Sequence, residues 1–98
     1  MARLTDAQAR IRAAIGTMID ARNSVRGVYW GECTEEARPD ARLDADATQR
    51  LRESYTSLDA RAAREAWKDI HAALDGWGGV QEGLGAGDAA AETLEEVV

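Results

Sequence analysis

Apolar side chains return every three or four residues over two stretches of this chain, and that spacing predicts helices. In the first stretch Leu4, Ile11, Ile15, Met18 and Val25 recur, with Ala7, Ala14 and Ala21 between them. In the second, Leu51, Tyr55, Leu58, Ala62, Ala66, Ile70, Leu74 and Trp77 form one row, with Trp67 beside it. Both stretches open on a start signal. Thr5-Asp6-Ala7-Gln8 has the capping-box form, in which the Thr5 hydroxyl accepts from the Gln8 amide while the Gln8 side chain reaches back. Asp46-Ala47-Thr48-Gln49 opens the second row in a similar way. Asn23-Ser24 and Gly27 end the first element, and Gly76, Gly78 and Gly79 end the second. The expected helices therefore cover 6–24 and 46–76.

The second row keeps its phase through Thr56-Ser57, which favours one long helix. Thr56-Ser57-Leu58-Asp59 also has the form of a cap, which would start a further helix there. The fold class expected is all-α: a helical hairpin or three-helix bundle with a Gly-rich C-terminal arm. Gly16 lies inside the first helix, where it is either tolerated or marks the close approach of another helix. The connection over 27–45 holds the apolar Val28-Tyr29-Trp30 and the sole proline, Pro39, and connections of this length often carry local structure or a role.

Beyond Trp77 the pattern changes. Gly76, Gly78, Gly79, Gly83, Gly85 and Gly87 crowd together, and five carboxylates lie between Glu82 and Glu96. Glycine at this density resists ordering, because fixing it costs more backbone entropy than fixing any other residue. The reading is a helical body over 1–77 and a Gly-rich acidic arm over 78–98, with a short helix from Asp88 to Val97. Such an arm is expected to dock on another protein chain through Leu94, Val97 and Val98, with Glu92, Glu95 and Glu96 facing basic groups or solvent. Trp30 and Trp77, each beside a glycine at a helix boundary, are candidate interface anchors, since tryptophan is enriched at binding hot spots. The candidate protein-binding set is thus Trp30, Trp77, Leu94, Val97 and Val98.

Composition sharpens the expectation of a partner. The chain has 98 residues and is 45 % hydrophobic, but 20 of its apolar residues are alanine and none is phenylalanine. A core this thin is often completed by oligomerisation. The net charge of −6 is uneven: residues 1–30 carry +3 and residues 31–98 carry −9. An acidic part of one chain can then meet a basic part of another. The same balance argues against broad contact with a phosphate backbone, and Arg10 and Arg12 point to different sides of their helix. No apolar run is long enough for a membrane span and no signal-like apolar segment opens the chain. A cytoplasmic place, or one inside a virus particle, is the expectation.

Candidate chemistry is sparse. His71 is the only histidine; a carboxylate-bridged metal site on a helix would want Glu three residues earlier, where Lys68 stands. Asp75, four residues on, can share its proton. Cys33 is the only cysteine and has acidic neighbours, which disfavour a thiolate. Asp44-Ala45-Asp46-Ala47-Thr48 begins like a calcium loop, yet Gln49 replaces the required Gly and Tyr55 the bidentate Glu. The glycines at 76–87 follow no strand and lead to no Gly-Lys-Ser/Thr ending, so they make no phosphate loop. Trp77-Gly78-Gly79 matches the W-x-G of the WXG100 hairpins in letters, but it follows the second helix instead of joining the two, and no family is assigned on it. No cofactor and no metal are expected.

The function expected is that of a non-enzymatic structural or adaptor subunit of a larger assembly, such as a phage virion or tail component, docking through its C-terminal arm. The alternative is a small acidic inhibitor of the anti-defence type that binds one target protein. Either way the partner is a protein or further copies of the chain.

Overall fold

A computed structural model of the protein describes residues 4–29, 41–74 and 81–97. It is all-helical over these residues. The elements are α1 (Asp6–Tyr29), α2 (Ala41–Ser57), α3 (Ala60–Leu74) and α4 (Gln81–Val97).

The capping box at the start of α1 forms in both directions. The Gln8 amide donates to Thr5 Oγ1 at 3.1 Å, and the Thr5 amide donates to Gln8 Oε1 at 2.9 Å. Replacing Thr5 by alanine should cost about 1 kcal/mol, read as a lowered urea midpoint at unchanged slope. The helix runs past the expected stop at Asn23-Ser24, because Ala21 and Val25 are still buried one and two turns on from Met18. Packing overrides the weak propensity of Asn and Ser there.

The expected second helix is two helices. α2 starts at Ala41, before the capping-box-like Asp46-Ala47-Thr48-Gln49, so that box is not used as a cap. Its end lies at Thr56-Ser57, where the sequence allows a break. Leu58 takes the left-handed conformation (φ 57°), and the Asp59 amide donates back to the Ser54 carbonyl at 3.1 Å. That bond closes the last turn of α2 as a Schellman-type cap. Asp59 then caps α3, its Oδ1 accepting from the Ala62 amide at 3.0 Å. One short turn thus stops one helix and starts the next. Leucine is costly at positive φ, and Leu58 is only half-buried. Leu58→Asn should therefore leave stability within about 1 kcal/mol of wild type, with relief of the backbone offsetting lost side-chain contact.

The segment read as a Gly-rich arm forms α4 and packs along α1. Leu84, Ala90 and Leu94 are buried in the same core as Ile15, Met18, Leu51, Ile70 and Leu74. With the buried Gly87 between Leu84 and Ala90, they follow three- and four-residue steps, giving α4 an apolar face that continues through the glycines. Two of those glycines are what allows it. A Cβ at Gly83 would overlap Val25 of α1, and a Cβ at Gly87 would overlap the Trp67 ring of α3. Gly16 differs: a Cβ there would lie 3.8 Å from Tyr55, an ordinary contact.

Cross-helix contacts fix the topology. Arg22 meets Asp44 and Arg12 meets Tyr55, so α1 and α2 are antiparallel. Arg64 meets Glu95 and His71 meets Asp88, so α3 and α4 are antiparallel as well. Arg10 near Glu96 and Val25 against Gly83 set α1 antiparallel to α4. The result is an up-down-up-down four-helix bundle. α1 packs mainly on α4 and α2 mainly on α3, while among the described residues no Cα of α2 lies within 8 Å of one of α4. Ala47, Ala63 and Ala66 have no exposed surface and bring the helices close together, which is how an alanine-rich chain closes a core without phenylalanine.

Candidate interaction face

The α3/α4 seam is built around Trp67. Its indole is 2 % exposed and lies against the glycine gap in α4. The indole Nε1–H donates to Asp88 Oδ1 at 2.8 Å, and His71 Nδ1 lies 3.7 Å from the same oxygen. A buried indole needs an acceptor for its N–H, and Asp88 supplies it from one residue beyond Gly87. Further along the seam, Arg64 NH1 lies 3.5 Å from Glu95. Arg64 Nε is buried and has no acceptor among the described residues.

Beside this seam a cleft of about 410 Å³ opens to solvent. Arg61, Arg64, Lys68 and His71 of α3, with Glu65 among them, form one wall, and Asp88, Ala91 and Glu95 of α4 form the other. Arg61, Arg64, Lys68 and His71 follow a spacing of three, four and three along α3, which keeps them on one side of the helix. α4 carries five carboxylates and no basic residue. A basic rim and an acidic rim therefore run next to each other on one face.

Of the residues that the sequence offers for chemistry, His71 lies in this cleft. Its neighbour is Asp88 and not a set of metal ligands; among the described residues no group of His, Cys, Asp or Glu is arranged to hold a metal. Asp75, its expected partner, and Cys33 lie outside the described residues. The calcium-loop-like Asp44 is spent elsewhere. It is fully buried and accepts two bonds from Arg22, from Nε to Oδ1 at 3.3 Å and from NH2 to Oδ2 at 2.8 Å. Thr48 Oγ1 adds a longer contact at 3.5 Å. Arg22, whose charge could have served nucleic acid, is thereby committed to the interior.

Of the expected protein-binding residues, Leu94 has no exposed surface and is held within its own chain, not free for another. Val97 is half-buried at the end of α4. Trp30, Trp77 and Val98 lie outside the described residues. Glu92, Glu95 and Glu96 are exposed, as the sequence pattern suggests. Sequence reasoning misses the basic rim on α3 and the role of Asp88. The spacing of Arg61, Arg64 and Lys68 is available as a signal, but reading 46–76 as one helix with one apolar row hides it.

Over the described residues, fold and face together define a four-helix bundle with a charge-segregated surface. No helix among the described residues is long and apolar enough to cross a membrane. A comparison with known protein families, characterised proteins and solved structures finds no match for this chain.

Proposed function

We propose that this chain is a non-enzymatic structural or adaptor subunit of a larger protein assembly. The observation that carries the reading is the paired rims: exposed cations on α3 beside exposed carboxylates on α4, across an open cleft. Charge arranged in this way steers and orients protein partners. The groups that could do chemistry have fastening roles that fit the same view. His71 and Trp67 meet on Asp88, and Arg22 and Asp44 join α1 to α2. Docking by a free C-terminal arm is replaced in this proposal by docking through the outer side of α4, where Glu92, Glu95 and Glu96 are exposed.

The alternative, an acidic inhibitor of one target protein, is favoured by a single feature, the absence of any basic residue from α4. Native mass measurement separates the two. An assembly subunit, isolated gently from cells that make it, travels in a complex of fixed stoichiometry containing several copies. Glu92→Lys combined with Glu95→Lys should remove it from that complex while its helical circular dichroism persists. One copy bound to one target supports the inhibitor instead, and a chain that travels alone overturns both.

A further inference from the structure

We propose that the α3/α4 face binds a second copy of this chain, side by side, with α3 of each copy lying on α4 of the other. The inference rests on the assembly reading and names its first partner.

Exposed charges frame this face: Arg61 and Lys68 on α3, with the acidic Glu65 between them, and Glu92 and Glu96 on α4. Among the described residues Arg61, Lys68 and Glu92 form no ion pair, and Glu96 has only Arg10 at 4.0 Å, between two well-exposed side chains. Arg64 opposite Glu95 and His71 opposite Asp88 set the heights of the two antiparallel helices. In that register Lys68 stands at the height of residue 91, next to Glu92, and Arg61 stands within a turn of Glu96. Within one copy these charges point outward and do not meet.

There are two ways to lay this face on itself with helices aligned. A two-fold axis across the bundle stacks α3 on α3 and α4 on α4, placing like charge on like. An axis parallel to the bundle sets α3 of one copy over α4 of the other at unchanged height. Every cation then meets the carboxylate of its own level, twice over by symmetry. The charge pattern therefore selects the second arrangement, an isologous dimer. Ala91, half-buried between the rims, leaves some apolar surface to cover. A small anion is the poorer occupant, because Glu65, Asp88 and Glu95 line the same cleft as the cations.

The test uses the full chain and two double variants, Arg61→Glu with Lys68→Glu and Glu92→Lys with Glu96→Lys. All four positions are exposed, so both variants should keep the helical signal of the wild type. Sedimentation in low salt should give the wild type twice the monomer mass, falling to the monomer mass as salt screens the rims. The first variant carries two acidic rims and the second two basic ones. Each alone should be monomeric, and an equimolar mixture should form a one-to-one dimer. A monomeric wild type in low salt, a wild-type dimer that neither variant disturbs, or a mixture that stays apart overturns the proposal. The outcomes are separable from the wider reading. A monomer that still joins a fixed-stoichiometry complex with other chains ends this inference alone, whereas a purified dimer that joins nothing else ends the assembly reading.

Discussion

Asp44→Ala should destabilise the bundle by about 3–5 kcal/mol, because it strands a buried arginine. The Arg22 side chain is 8 % exposed and that of Asp44 is 0 % exposed, with two bonds between them. Removing the carboxylate takes away the guanidinium's counter-charge and leaves it the neutral Asn23 side chain, at 3.1 Å, as acceptor. Small domains are stable by only about 5–15 kcal/mol in all, so such a loss would bring this one close to unfolding at room temperature. Urea unfolding followed by circular dichroism gives the number. The same physics predicts that Arg22→Met together with Asp44→Leu recovers most of the loss, since no charge is then left buried. The ion pair's contribution is to alignment: it fixes which turn of α2 lies against which turn of α1. If Asp44→Ala alone costs less than about 1 kcal/mol, as exposed pairs do, water reaches the pair and it does not clamp the two helices.

That pair also shows where the sequence is legible and where it is not. Local signals are readable because they are made by neighbours in the chain. Thr5 and Gln8 form their box as spelled, and the break at Leu58-Asp59 lies where the cap-like tetrapeptide stands. Burial of Ile15, Met18, Leu51, Ile70 and Leu74 follows from spacing alone. The partner of a polar residue twenty-two positions away cannot be read in this way. Sequence shows Asp44 only as the opening of an incomplete calcium-loop pattern, and nothing in its neighbours tells that Arg22 faces it across a helix gap. The candidate site suffers in the same way. Asp88 reads as the first residue of a short helix; its use as the acceptor for the Trp67 indole depends on α4 lying against α3. The glycines mislead most. Their density signals chain entropy, which is correct for an isolated segment. Glycine is also absent volume, and at Gly83 and Gly87 the missing Cβ is what lets α4 reach the core.

Two substitutions two residues apart should therefore shift stability in opposite directions. At Gly85 an added Cβ meets nothing within 4 Å. Alanine there should stabilise α4 by about 1 kcal/mol through helix propensity alone. At Gly87 the same gain is available, but the new methyl would occupy the space of the Trp67 six-membered ring. That ring has little freedom to move, being 2 % exposed and tied by its Nε1–H to Asp88. α4 must then back away from α3, opening the seam and loosening Leu84 and Leu94 in the core. Overpacking of this kind costs about 1–3 kcal/mol, and the strained indole bond adds to it. For a domain of this size each 1 kcal/mol moves the melting temperature by about 4–8 °C, so the variants should separate clearly on one thermal scan. Gly83→Ala should fall between them, since its obstacle is a single Val25 methyl on a short side chain. The Trp67 indole N–H resonance gives an independent reading, shifting in Gly87→Ala and staying in place in Gly85→Ala. Should both substitutions raise the melting temperature equally, Trp67 does not lie against Gly87. Residues beyond Gly79 would then act as the separate arm that their composition suggests, and the α3/α4 face would lose its acidic rim.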